Sequence, residues 1–420
     1  MQTFFGKLQS LFSRRLSSAN FSDRVYLDYA AATPVHPQVV ETMKPYWSEQ
    51  FANAGAIHRE GAQARVALES ARTKIARLCL VRPELVTFTS GGTESNNLAI
   101  IGYVETLYAA GRSYGSMEIL TTPIEHPATE KALQMLAVRG VKVKKVPVDD
   151  RGRVQPETIL GQLTKQTIMV TLAHINSEIG TIQPTQQIAR VLRRYEREHD
   201  QSRIVLHIDA AQSPLWQTIQ LPTLGADMLS LDAGKCEGPK GIGVLVCAQK
   251  QYITHGMLYG GGQERGLRSG TEPVALCVGC AKALELAQAT YESRSSRVSV
   301  LRDTFCEQLT ERVPEAIWNG AYQKERVANN INFSLPGYDT EYAAIVLDAA
   351  GFAVSTKSAC GTSQTSVSDV VYAISKDESR ARSPLRITLH EEVTEQQLRR
   401  LVDILSDHLD KMRPFKEDGL

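Results

Sequence analysis

The sequence lacks several features that mark whole classes of protein. Its 420 residues carry 47 basic and 46 acidic side chains, a net charge of +1. That balance gives no support to a broad nucleic-acid-binding face or to attraction toward a membrane. No apolar run is long enough to span a bilayer. Internal repeats and low-complexity linkers are missing, so nothing points to a repeat array. The seven cysteines, at 79, 236, 247, 277, 280, 306 and 360, are odd in number and irregular in spacing. This argues against a disulfide framework and for a reducing compartment. Cys277 and Cys280 form a lone C-x2-C without two further ligands near by, so zinc is not indicated and both read as core or helix-face residues. Acidic residues are absent before Asp23, while Lys7, Arg14 and Arg15 accompany apolar residues at near-helical spacing. A targeting peptide, a segment that touches a membrane surface and a plain N-terminal extension all remain open for residues 1–20.

What is present describes a globular chain with a large core. Hydrophobic residues make up 42% and charged residues 22%, and the length suits two or three domains. Short β-rich runs at EILTT, KVKKVPV, TIMVTLAHI, RIVLHIDA and DMLSLDA alternate with helical stretches or loops. Such alternation predicts an α/β fold with a mostly parallel central sheet. Beyond about residue 290 the pattern becomes that of a smaller α+β domain. The expected division is an extension at 1–20, a segment joining the small domain at 21–36, a large domain at 37–290, a small domain at 291–414 and a tail at 415–420.

Ligands in parallel sheets bind at the carboxyl ends of the strands. Ser90 to Thr93, Glu125-His126, Asn176, Asp209 and Asp232 to Lys235 each fall where a strand should end, which predicts one shared site. An amine at Lys235 suits a Schiff base. Asp209 suits pairing with a protonated pyridine nitrogen, or a helix N-cap. SGGTESNN, with Gly92 and Thr93, offers backbone N–H groups for phosphate, or an ordinary capping turn; it has no GK[ST] ending. His126 suits stacking on a ring, proton transfer or loop filling. Arg386 suits a substrate carboxylate or a structural role. Cys360, in STKSACGTSQTS, sits among small polar residues as a mobile nucleophile would, or as an exposed thiol.

Read in order, FTSGGTESNN, EHPA, HINSEIGTIQP, HIDAAQ, GPKGIG, GGGQERGLRSGTE, SACGTS and LRITLH resemble the cysteine desulfurases. These are class V aminotransferase-like enzymes of the pyridoxal-phosphate (PLP) transferase fold, type I. The likeness runs from residue 25 to the final helix. It implies PLP as cofactor in the large domain, bound through Lys235, with His126 on its ring, Asp209 on its nitrogen, and Asn176 and Gln212 near its phenolic oxygen. Gly92 and Thr93 would meet the phosphate, with Thr271 contributed by a second subunit of a homodimer. Arg386 and Asn176 would meet the substrate, L-cysteine, and a mobile loop would carry Cys360, the acceptor of its sulfur. The resemblance implies transfer onward to an acceptor protein, such as an iron–sulfur scaffold or a tRNA-thiolation protein. It implies no direct nucleic-acid contact and a cytoplasmic setting, or an organellar matrix if residues 1–20 are a targeting peptide. Selenocysteine lyase or another class V lyase is the nearest alternative, and a weakly PLP-binding scaffold protein is another. The chain departs from the family at Asp232 and Gly234, where Ser and His are usual, and at His390 and the NAGA segment, 53–56. The first two departures predict weaker phosphate binding.

Overall fold

Strands that are apolar along their whole length need cover on both faces, and this requirement organises the chain. The computed structural model describes residues 24–356 and 367–415. In chain order the strands are β1 (Val25–Tyr26), β2 (Val86–Thr89), β3 (Glu118–Thr121), β4 (Lys142–Lys145), β5 (Thr167–Ala173) and β6 (Val205–Asp209). They continue with β7 (Met228–Asp232), β8 (Gly243–Cys247), β9 (Ile317–Trp318), β10 (Asn330–Ser334), β11 (Phe352–Ala353) and β12 (Pro384–Thr388). The helices used below are α1 (Pro37–Met43), α2 (Arg59–Leu78), α3 (Gly92–Ala109), α4 (Pro127–Val138), α5 (Val274–Arg312) and α6 (Glu395–Met412).

The central sheet has the order β2-β8-β7-β6-β5-β3-β4 and is parallel except at β8, which runs antiparallel to both neighbours. Strands β2, β3, β6 and β8 are buried at every position. Edge strand β4 reads Lys-Val-Lys-Lys, and its lysines discourage pairing with another sheet. The five β-rich runs expected from the sequence are thus β3 to β7, in a mostly parallel sheet.

A second, three-stranded antiparallel sheet, β12-β10-β9, pairs Asn332 with Arg386. The short β1 lies parallel to β11, Val25 opposite Phe352. Helix α5 is one continuous helix of 39 residues, about 58 Å long. It packs on α1 and α2 at one end and on α6 at the other, carrying the chain unbroken past residue 290. Cys277 and Cys280 are buried on it. Helix α6 starts at a capping box, Thr394 with Gln397, and buries Leu398, Leu401, Val402, Leu405 and Leu409, the stripe of an amphipathic helix. Among the described residues no helix is long and apolar enough to cross a membrane, and no cluster of metal-ligating side chains occurs.

Candidate active site

Five parallel-running strand ends meet a single cavity of about 170 Å³. Gly92, Thr93, His126, Asn176, Asp209, Gln212, Lys235 and Arg386 all line it, so the structure gathers eight of the ten residues expected to act together. Thr271 is exposed and does not line the cavity of its own chain. Cys360 lies outside the described residues. Their neighbours on both sides do not: Ser355 and Arg386 exchange backbone hydrogen bonds at 3.0 and 2.6 Å, and the Ser368 hydroxyl donates to the Glu178 carboxylate. A wider cleft of about 810 Å³, lined by Arg82, Arg190, Arg193, Arg197 and Arg203 among others, includes none of the site residues.

Asp209 ends β6 and is 8% exposed. Its carboxylate accepts from Asn96 Nδ2 at 2.7 Å and from the Ala211 N–H at 3.0 Å. It therefore serves the following turn, as a cap would, and also faces the cavity. Asn96 stands one helical turn beyond Gly92 on α3, on the same face, and its Oδ1 is buried without a partner.

Lys235 closes a short helical turn, Ala233–Lys235, directly after β7. Its Nζ donates to the carbonyls of Ala30 (3.1 Å) and Ala31 (2.6 Å), and Gln212 Nε2 donates to the same Ala30 carbonyl at 2.9 Å. The N-terminal segment is thus part of the site. His126 is the N-cap of α4: its Nδ1 accepts from the Ala128 N–H at 3.1 Å, which puts the proton of the neutral ring on Nε2. Asn176 Nδ2 donates to Ile124 O at 2.8 Å, while its Oδ1 caps the N–H groups of Glu178 and Ile179.

Arg386, on β12, is already engaged. Its guanidinium donates to Asp28 Oδ1 at 2.7 Å and to Ser177 O at 3.0 Å, and its Nε is buried without a partner. Arginine has five N–H donors, so donors remain for a second anion.

Two carboxyls flank the cluster, Glu178 buried and Glu125 half-buried. Loss of solvation pushes Glu125 up to about 8, and nearby Asp209 adds to this, against hydrogen bonds from Thr122 and Ala173 N–H. Burial likewise raises Glu178.

At the start of α3, Gly91 has φ +152°, a conformation that glycine adopts readily. Gly243 of β8 packs on it, and a Cβ there would lie 2.5 Å from the Gly91 carbonyl carbon. These two glycines of SGGT and GPKGIG hold the nest against the sheet. The Asp232 carboxylate reaches the nest directly, accepting from Gly92 N–H at 3.0 Å and from Gly234 N–H at 2.8 Å. His390 makes no contact with the nest; it stacks on Tyr29 with ring centroids 4.7 Å apart and bonds Glu237 at 2.7 Å.

Asn96, Asp28 and the carbonyls of Ala30 and Ala31 were not singled out by sequence, and Glu125 was placed at the shared site without a role of its own. Asn96 was findable from its spacing to Gly92.

The residues fit pyridoxal at its ring and aldehyde ends. A partly satisfied carboxylate, a histidine at a fixed nitrogen, and an amine held by two carbonyls face one cavity beside an unpartnered Asn96 oxygen. The phosphate end is shared with Asp232.

The model of the family described as "Aminotransferase class-V" matches residues 25–401. A protein named cysteine desulfurase IscS from Dictyoglomus turgidum is 37% identical over 94% of this chain and 97% of its own length. Another named cysteine desulfurase IscS 1, from Archaeoglobus fulgidus, is 35% identical over 92% and 97%. Among solved structures, a NifS-like protein superposes with a TM-score of 0.83 at 31% identity, covering 92% of this chain and all of that one. A structure titled SspA in complex with cysteine gives 0.73 at 32% identity over 88% and 99%. The strand-end cluster, the sheet order and these full-length likenesses agree: the chain belongs to the class-V aminotransferase family, in its cysteine desulfurase branch.

Proposed function

We propose that this chain is a PLP-dependent cysteine desulfurase: it converts L-cysteine to L-alanine and leaves the sulfur as a persulfide on Cys360. The observation that carries this reading is the convergence of Lys235, Asp209 and Arg386 on one cavity from strands far apart in sequence. Pyridoxal phosphate, when bound, supplies the electron sink that makes the substrate Cα proton removable.

The chain's own residues do the rest. Asp209 offers an anion to a protonated ring nitrogen, and Asn96 and Ala211 N–H keep its carboxylate oriented. His126 presents its ring to the cavity from the start of α4. Lys235 Nζ, once it leaves the Ala30 and Ala31 carbonyls, takes up and returns the proton at Cα. The free donors of Arg386 hold the substrate carboxylate. The Cys360 thiolate then attacks the substrate sulfur. The Cβ–S bond breaks, an S–S bond forms, and the electron pair stays with carbon, which gains a proton on the way to alanine.

The other cysteines favour this assignment by contrast. Burial pushes Cys79 and Cys247 up to about 12 and Cys306 to about 11, and it raises Cys236, Cys277 and Cys280 further. A sulfur acceptor must be a thiolate, and none of these six is suited to be one. All six are free, which favours a reducing compartment, and we assign the reaction to the cytoplasm. The exposed Thr271 is read as a contribution to the cavity of a second copy, so the working unit is a homodimer. The onward acceptor is a protein such as an iron–sulfur scaffold.

The test is direct. The purified chain should show a Schiff-base absorbance that borohydride abolishes, and should make alanine from cysteine. Cys360→Ala should keep that absorbance and lose persulfide. Mass spectrometry that located the added sulfur on Cys236 or Cys306 would overturn the assignment.

A further inference from the structure

The cavity's two aspartates are adjacent strand ends, but only Asp232 meets a helix N-terminus. Unpaired N–H groups and the helix dipole make that place favourable to an anion. Helix α3 is 18 residues long, and the Asp232 carboxylate bridges its first residue, Gly92, to Gly234 in the turn that carries Lys235. The carboxylate packs tightly there. A Cβ on Gly92 would lie 3.2 Å from Asp232 Oδ2, and a Cβ on Gly234 would lie 3.2 Å from Asp232 Oδ1. Asp232 and Gly234 are therefore coupled: a side chain at 234 would start in tight contact with the carboxylate and push it aside by a few tenths of an ångström. Neither nearby lysine pairs with it: Lys235 Nζ donates to the Ala30 and Ala31 carbonyls, and Lys240 Nζ donates to Thr33 O. The cavity of about 170 Å³ is also smaller than the roughly 300–1,000 Å³ common for small-molecule sites.

We propose that Asp232 is a built-in anion at the phosphate end of the cavity, which a phosphorylated cofactor must displace and an unphosphorylated pyridoxal need not. This rests on the reading of Lys235 as the residue that captures the cofactor aldehyde. A phosphate entering the nest takes over the Gly92 N–H, and Asp232 then loses its hydrogen bonds or stays as a like charge beside it. The chain thereby discriminates between the two forms of the cofactor less than an open nest does.

The experiment titrates the full-length chain, freed of cofactor, with PLP and separately with pyridoxal. Wild type, Asp232→Ser and Asp232→Asn are compared. Binding is read from the borohydride-sensitive absorbance and from the mass of the peptide trapped at Lys235. A hydrogen bond to a charged group supports a gain of about tenfold to a hundredfold in PLP affinity for Asp232→Ser, with pyridoxal affinity almost unchanged. Asp232→Asn, which keeps an acceptor but no charge, should lie between and covers the case in which the serine variant folds poorly. Inorganic phosphate, without cofactor, should raise the Tm of the serine variant more than that of wild type.

Equal or weaker PLP binding in both variants would overturn the proposal. So would a gain for pyridoxal as large as for PLP, which would mean that the cavity had merely widened. A lack of any trapped adduct at Lys235, with either compound in all three proteins, would instead remove the reading of Lys235. The phosphate-dependent Tm would still decide whether Asp232 holds the anion site.

Discussion

Asp209 and Asp232 end neighbouring parallel strands, and each carboxylate accepts two N–H hydrogen bonds. Their consequences are opposite. Asp209 is held by a side-chain amide and the turn after its own strand, so it can face a cationic ring nitrogen without giving up its partners. Asp232 is held by the start of a helix, where the ligand's own negative group belongs. The same side chain at equivalent places is thus an aid at one end of the cavity and a competitor at the other, because the partner it meets differs in sign.

The largest effect expected from breaking this contrast is at Asp209. Asp209→Ala should lower kcat/KM by about 10²–10³-fold or more, the scale of a lost preorganised electrostatic contact, with Tm measured to establish folding. Near-normal turnover would make the two aspartates equivalent and the contrast empty.

Arg386 tests whether the substrate end is separate from both. Arg386→Ala should raise KM for cysteine about tenfold to a hundredfold and leave the Schiff-base absorbance in place. Loss of that absorbance with KM unchanged would move Arg386 to the cofactor end.

Asn96→Ala should have a smaller effect. It leaves Asp209 with only the Ala211 N–H, and about a tenfold loss in kcat/KM is expected, without a change in the ratio of PLP to pyridoxal affinity. A changed ratio would show that Asn96 serves the Asp232 end instead.

The smallest effect concerns stability beneath Asp209. His207 lies two residues earlier on the same face of β6, bonded to Thr171 at 2.8 Å and Ser230 at 2.9 Å. Burial lowers it to about 3, and His174 to about 4, from 6.5. Folded-state values below the unfolded one mean that the unfolded chain binds protons first as pH falls. Stability is therefore retained above 6.5 and lost below it, by about 1.4 kcal/mol per pH unit for each histidine. Glu125, raised to about 8 from 4.5, acts in the opposite sense between 4.5 and 8 and offsets about one of them. Thermal melts from pH 7 to 5 should show a smaller drop for His207→Gln than for wild type, and an identical drop would mean that His207 does not titrate on unfolding.

The cluster was legible where chemistry and strand periodicity coincide. Lys235, Asp209, Asn176 and His126 each follow an apolar run, and parallel sheets bring such ends together. Asp28 was not legible as the partner of Arg386, since 358 residues separate them. The Ala30 and Ala31 carbonyls that hold Lys235 are backbone groups, which residue identity does not announce. The continuous α5 was equally hidden, because its first half is apolar and its second half charged, and composition alone suggested a change of unit there.

By itself the sequence determined that the chain is an α/β protein with a lysine, an aspartate, an asparagine and a histidine at strand ends. Those facts follow from side-chain period and from the place ligands take in parallel sheets. It also determined that Asp232 stands where a neutral donor is usual. Only the tertiary structure decided what Asp232 does, because the Gly92 N–H that it occupies comes from a helix 140 positions earlier. The contact depends on the β2–β8–β7 pairing, which sets Gly91 against Gly243 and brings the nest within reach of the carboxylate. A hydrogen bond needs a distance, and that distance exists only once the sheet has formed.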